Sequence, residues 1–173
     1  MDRIKHSYRR LHPTDPADVR DLQRILEAAP SYSRLVEGRD PPATAGRDEL
    51  AALPPGKTHD DKFTFAIEHD GQLIGCADLM RGHPDPNTAY LGLLLFAETF
   101  QGQGHGVAAL VYLETLAASW GCTAMRLAVI ATNLHALQFW QRQGFVELYR
   151  KPAPQYTGDA VVLQRAIAVP GLF

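Results

Sequence analysis

The chain has 173 residues, 46% hydrophobic and 21% charged, enough to close one substantial core without disulfide or metal staples. Its formal net charge of -2 supplies no field for nucleic acid or for an acidic membrane surface, and no apolar run approaches membrane-spanning length. Cys76 and Cys122 lie in apolar surroundings without C-x-x-C spacing, so they read as buried thiols of a reducing compartment rather than a disulfide framework.

Residues 8–11 read as a short first strand, and Asp15 followed by Pro16 is a helix cap with proline at the first helical position. Val19, Leu22, Ile25 and Leu26 mark one face of the helix that follows, which stops before Pro30. A second helix spans about 31–37 and ends at Gly38, and a third covers 44–53 before Pro54, Pro55 and Gly56. Phe63, Phe65 and Ile67 alternate with Thr64, Ala66 and Glu68, and Asp70-Gly71 turns the chain into an antiparallel partner at 73–80. A proline-rich turn at 83–87 leads into a fourth strand, 89–96. Behind a run of glycines, Val107, Leu110, Val111, Leu116 and Trp120 recur at helical spacing. Residues 125–131 form a fifth strand, a helix starts at Leu134, and the last strands lie near 145–149 and 160–167.

The glycine run, Gln101-Gly102-Gln103-Gly104-His105-Gly106, joins the fourth strand to its helix with almost no side chains between. Such a turn leaves the helix's first backbone N–H groups unpaired and aimed at one point, where the positive end of the helix dipole also lies. That arrangement is an anion cradle, most often for phosphate. A dinucleotide fingerprint needs glycine where Val107 stands, and a nucleotide P-loop needs Lys-Ser/Thr where Val107 and Ala108 stand, so both nucleotide patterns fail.

The pattern Q-x-x-G-x-G on Gln101, Gly104 and Gly106 resembles the pyrophosphate loop of the GNAT superfamily of N-acetyltransferases. A second stretch, Asn133 to Phe145, is similar to that superfamily's fourth-helix motif, with Asn133, the small Ala136, the aromatic pair Phe139-Trp140 and the stop Gly144-Phe145 in order. Read from its residues alone, this stretch is equally an amphipathic helix capped by Asn133 and ended by Gly144. The order of elements is similar to the whole GNAT fold. The resemblance therefore implies one α/β domain over 1–173, with a mixed, mostly antiparallel central sheet splayed between strands 4 and 5 and helices on both faces.

It also implies acetyl-CoA as cosubstrate and no metal, the pantetheine arm lying in the splayed cleft against the backbone of Leu94, Leu95 and Phe96. The pyrophosphate would rest on Gln101, Gly102, Gln103, Gly104, His105, Gly106 and Val107, with Asn133, Ala136, Phe139 and Trp140 completing the cofactor site. A backbone N–H at Leu94 or Leu95 would hold the developing oxyanion. The implied partners are acetyl-CoA and an amine, with neither nucleic acid nor membrane, in the cytoplasm; a homodimer is compatible with the chain.

The chemistry asks for a base. A primary amine with a pKa near ~10 costs about 4 kcal/mol to deprotonate at pH 7, whereas a thiol leaving group near ~8.5 makes a strong acid helpful but not essential. The chain departs from the family pattern twice: Trp140 stands where the family has its tyrosine acid, and Ala128 where many protein-acetylating members have a glutamate. An indole N–H donates a hydrogen bond but delivers no proton. The remaining candidates are Asp78, charged inside an apolar strand on the face expected to carry Ile74, Cys76 and Met80, and Tyr90 on the fourth strand. Trp140 itself is expected as a packing wall beside the thioester. The histidines show no metal-ligand spacing, so His83 and His105 are expected at the surface. Substrate choice is expected in residues 32–61, where Arg34, Arg39 and Arg47 are candidates to meet an anionic group.

The expected activity is therefore acetylation of a small-molecule primary amine in a ternary complex. Acetylation of a protein N-terminus or lysine is the close rival, and a non-catalytic CoA-binding sensor or scaffold is the rival from another class.

Overall fold

A computed structural model describes residues 3–168. In chain order the elements are β1 (Ser7–Arg10), α1 (Pro16–Glu27), α2 (Pro30–Glu37), α3 (Ala45–Ala51), β2 (Lys62–His69), β3 (Gln72–Met80), β4 (Thr88–Phe96), α4 (His105–Ser119), β5 (Ala124–Ile130), α5 (Leu134–Arg142), β6 (Val146–Lys151) and β7 (Ala160–Ala166). A short 3-10 turn, Glu98–Phe100, precedes the glycine loop.

The strands form one sheet in the order β1-β2-β3-β4-β5-β7-β6, and β4–β5 is its parallel pair. That pair runs only from Thr88 opposite Ala124 to Leu91 opposite Leu127. Beyond it, β4 continues to Phe96 on β3 alone while β5 continues to Ile130 on β7 alone, so the sheet splays at its centre.

Helices α1 and α3 cover one face through Leu22, Ile25, Leu26 and Leu50, packed on Ala66, Cys76 and Leu95. Helices α4 and α5 cover the other, where Leu110, Leu113, Leu137 and Trp140 meet Phe65, Ala77, Leu79 and Leu91. Apolar burial on both faces is what holds the mixed sheet in the middle layer. At the start of α1, Asp15 accepts a hydrogen bond from Ala17 N at 2.9 Å, while buried Asp18 accepts from Arg9 at 2.5 Å and from His12 N at 2.8 Å, fixing the helix to β1.

Two expectations about faces are corrected. Ile74 packs with Ala77 and Leu79, away from Cys76, because the β2–β3 register slips between Ile67 and Glu68 and leaves Ile74 as the extra residue. A bulge of this kind turns the side chains beyond it to the opposite face. On α4 the buried stripe is His105, Ala109, Leu110, Leu113 and Ala117, whereas Val107 and Val111 are exposed. Alanines carry part of that stripe, which a count of large apolar residues overlooks.

Candidate active site

Helix α4 begins at the glycine loop. Gly104 is its N-cap with φ 86°, a left-handed conformation that costs a residue with Cβ about 1–2 kcal/mol, and no side chain caps the first turn. At Gly106 an added Cβ would stand 3.2 Å from Phe139 Cζ, so glycine here lets the start of α4 close on α5. The loop is anchored by its own glutamines: Gln101 Nε2 donates to Phe96 O at 2.8 Å and Gln103 Nε2 to Thr99 O at 2.9 Å. Their side chains hold the turn while the backbone N–H groups of the helix start remain free of side-chain caps.

The splay places a bare strand edge near this helix start. After Leu91 the β5-facing edge of β4 has no strand partner among the described residues, along the stretch that holds Leu94, Leu95 and Phe96. Leu95 and Phe96 bury their side chains in opposite cores, which leaves their backbone as the exposed chemistry. The far wall is α5. Asn133 caps it by accepting from Ala136 N at 3.2 Å, and Phe139 is half-buried on the core. Trp140 is buried, edge-on to Phe139 at 4.9 Å and to Phe145 at 5.2 Å. An uncapped helix N-terminus beside an unpaired strand edge suits a phosphate-bearing molecule with an amide-containing arm.

A cleft of about 300 Å³ opens on the β3–β4 side of the splay, lined by Glu49, Lys62, Asp78, His83, Tyr90 and Gly92 among others. Gly92 is the extra residue of a bulge, because Asp78 faces Leu93 while Leu79 faces Leu91. The floor is ionic. Lys62 Nζ donates to Asp78 Oδ2, with side chains only 4% and 7% exposed, and Asp78 Oδ1 is buried without a protein partner. An unpaired buried carboxylate oxygen is expensive to leave bare. On α3, half-buried Glu49 sits over this pair, and burial together with the Asp78 charge pushes its carboxyl up to about 7. Lys62 also lines a second pocket of about 30 Å³, beside Thr64, whose buried hydroxyl has no protein partner.

Tyr90 is half-buried and lies edge-on to His83, ring centres 5.4 Å apart. Burial raises its phenol, which makes it a proton donor and a poor base at neutral pH. Burial, and then the positive charges of Lys57, Arg126 and Lys151, lower His83, so its imidazole is neutral in the cleft.

Of the residues singled out in the sequence, Asp78 and Tyr90 meet in this cleft, and His83 joins them instead of standing free at the surface. His105 is likewise corrected from surface to core: it is 4% exposed and shares a hydrogen bond with His6, since the first residue of α4 points back under β1. Arg34, Arg39 and Arg47 lie outside the cleft, each exposed and paired with Asp40, Glu37 and Asp48 respectively. Glu49 and Lys62 escaped the sequence reading. Glu49 looks like an ordinary helix-surface charge, and Lys62 like a loop residue before an apolar strand; only strand pairing brings Lys62 to Asp78. Among the described residues, no cluster of three or more His, Cys, Asp or Glu is placed to hold a metal ion, and no helix is long and apolar enough to cross a membrane.

A mixed central sheet that splays between two parallel strands, with helices on both faces, is the architecture of an acyl-CoA-dependent acyltransferase. The family model described as acetyltransferase (GNAT) family matches residues 21–145, and the chain belongs to that family. It thus carries the family's general activity, acetyl transfer from acetyl-CoA. No curated protein matches the chain by sequence.

Among solved structures, an acetyltransferase from Thermus thermophilus is similar at 25% identity and a TM-score of 0.76, covering 94% of this chain and 97% of that one. Aminoglycoside acetyltransferase AAC(6')-Ib in complex with coenzyme A is 18% identical, with a TM-score of 0.71 and coverage of 94% and 95%. The ribosomal-protein-S18-alanine N-acetyltransferase from Escherichia coli is 18% identical, with a TM-score of 0.65 and coverage of 98% and 99%. The last two share the fold and take very different acceptors, so the acceptor must be argued from the cleft.

Proposed function

We propose that the protein transfers the acetyl group of acetyl-CoA to the primary amine of a small molecule, by direct attack in a ternary complex. The observation that carries this reading is the placement of the buried Lys62–Asp78 pair, with its free carboxylate oxygen, under the Gly92 bulge of the strand whose edge is unpaired further along. A thioester lying against Leu94 and Leu95 would present its carbonyl to backbone N–H groups on β4, and the amine would approach from the cleft. At about 300 Å³ the cleft suits a small molecule and is tight for a folded protein surface.

The pyrophosphate would be held by the start of α4 from Gln101 to Val107, and the wall beside the thioester would be Phe139 and Trp140, with Asn133 and Ala136 at the head of α5. Tyr90 would offer its phenol O–H to the leaving thiolate as a hydrogen-bond donor, since a phenol raised above its ordinary value keeps its proton more tightly than a thiol near ~8.5. A panel of small amines incubated with acetyl-CoA and read by thiol release tests the reading; peptides with a free N-terminal alanine, run alongside, test the protein-acetylating alternative. Saturable acetyl-CoA binding with no thiol release for any acceptor would leave a CoA-binding module instead.

A further inference from the structure

We propose that Glu49 takes the proton from the acceptor's ammonium group, and that Asp78 holds that ammonium with the oxygen Lys62 leaves free. This rests on the acyl-transfer reading of the same cleft and assigns the base that the family pattern would have placed at Ala128.

Three charged side chains from three elements converge in the cleft: Glu49 from α3, Lys62 from β2 and Asp78 from β3. Their roles follow from their partners. Asp78 is committed to Lys62, and protonating it would leave a buried ammonium without its counter-ion, so it serves poorly as a base. Its Oδ1 nevertheless makes no hydrogen bond within the protein, in a residue only 5% exposed; the neighbouring Glu49 carboxyl can donate to Asp78 only while protonated, so with Glu49 ionised this oxygen is an acceptor awaiting a ligand donor. Glu49 makes no ion pair among the described residues and is only half-buried, so it can pass a proton to water.

With Glu49 ionised the three groups sum to one negative charge, which a monocation neutralises. Ala52, Leu53, Pro54 and Met80 complete the lining, so the ligand class is a small primary ammonium with an apolar stem.

The step balances as follows: one ammonium proton passes to the Glu49 carboxylate, and the freed nitrogen lone pair forms the C–N bond at the thioester carbonyl. The C–S bond then breaks with its electron pair going to sulfur. The nitrogen loses its second proton, the thiolate takes up one, and Glu49 releases the other to solvent.

The groups facing Glu49 are Asp78 and Cys76 from β3, Lys62 from β2, Glu37 and Tyr32 from α2, and Tyr156 beyond β6. Asp78 and Glu37 raise its affinity for a proton and Lys62 lowers it, while burial, the largest influence, raises it. The sum suits exchange with a protonated amine near neutral pH.

The test follows the Glu49 carboxyl by carbon-detected NMR titration of the whole protein, with E49Q to assign the signal and n-butylamine as probe. A midpoint near neutrality that falls when butylamine is added supports the inference, as does a D78N protein that binds butylamine at least tenfold more weakly. A midpoint in the ordinary carboxylate range, or one that butylamine leaves unmoved, overturns it. In turnover of butylamine with acetyl-CoA, E49Q should keep acetyl-CoA affinity, lose about a hundredfold in kcat at pH 7 and recover towards pH 10. A parallel pH profile in E49Q overturns the base assignment alone. Failure of the parent to bind acetyl-CoA would overturn the acyl-transfer reading, and the carboxyl titration would still decide the role of Glu49.

Discussion

His6 Nε2 and His105 Nδ1 lie 2.9 Å apart, a hydrogen bond that joins the segment before β1 to the first residue of α4. Tyr8 OH is 2.9 Å from the other nitrogen of His6, and the His69 ring centre is 5.1 Å from that of His105. Burial first, and then the mutual proximity of the rings, lowers His6 from 6.5 to about 4 and lowers His105 as well. The folded protein therefore resists protons that the unfolded chain accepts below 6.5. Stability should be full above that pH and fall progressively towards about pH 4, because over that range the unfolded chain binds more protons than the folded protein. Thermal midpoints measured across this window should drop for the parent and flatten for His6→Asn; an equally steep drop in the variant would remove the cluster as the cause.

Gly104→Ala should cost about 1 kcal/mol of stability, because φ 86° is unfavourable for a residue with Cβ. The same change should weaken acetyl-CoA binding, and Gly104→Val should weaken it by about tenfold or more, since the loop's N–H groups would be displaced from the pyrophosphate. Calorimetric titration of the folded variants checks this, and unchanged affinity would remove the loop from the cofactor site.

Asn133 accepts from Ala136 N, so Asn133→Ala should cost about 1 kcal/mol as a lost cap. Asn133→Asp keeps the cap. If Asp restores stability while acetyl-CoA affinity stays low, the amide has a second role at the cofactor; if Asp restores both, Asn133 is a cap and nothing more.

Lys62→Met strands the Asp78 carboxylate in a buried site and should cost roughly 3–5 kcal/mol in denaturant unfolding. Adding Asp78→Leu to that variant should recover most of the loss, because no charge is then left uncompensated. Equal stability of the single and double variants would show that the pair is not coupled.

Trp140→Phe should hold turnover within about tenfold, since an aromatic wall remains against Phe139 and Phe145. Trp140→Ala should lose about 3–5 kcal/mol of stability by leaving a cavity. A thousandfold loss of rate in Trp140→Phe, with acetyl-CoA binding intact, would contradict a packing role.

Local patterns made the fold legible. The cap at Asp15, the turn at Asp70-Gly71 and the glycine loop each act within a few residues, and each element forms close to where its signal lies. Asp78 stood out because a charge inside an apolar strand must be compensated by something. What compensates it is not local in sequence, since Lys62 is 16 positions away and meets it only once β2 pairs with β3, and the nearby Glu49 is brought in from another element by the fold. His105 was misplaced for the same reason: a histidine in a glycine-rich loop reads as exposed until β1 and His6 are laid over it. Ile74 changed face through a one-residue slip, which alternation in a single strand cannot announce.

The opening between β4 and β5 puts bare strand edge in the middle of a sheet instead of at its rim. Only four residue pairs, Thr88–Ala124 to Leu91–Leu127, stitch the two halves on that line. Its two edges are backed by β3 and β7 inside one sheet, so the bare stretch does not lie at the outer rim, where unpaired strands are an aggregation hazard. A slender molecule that threads it makes the missing ladder and ties the halves together. The cosubstrate would then act as mortar as well as donor: a hundredfold excess over Kd should add about 2.7 kcal/mol of stability, and amides of residues 92–96 should slow most in hydrogen exchange.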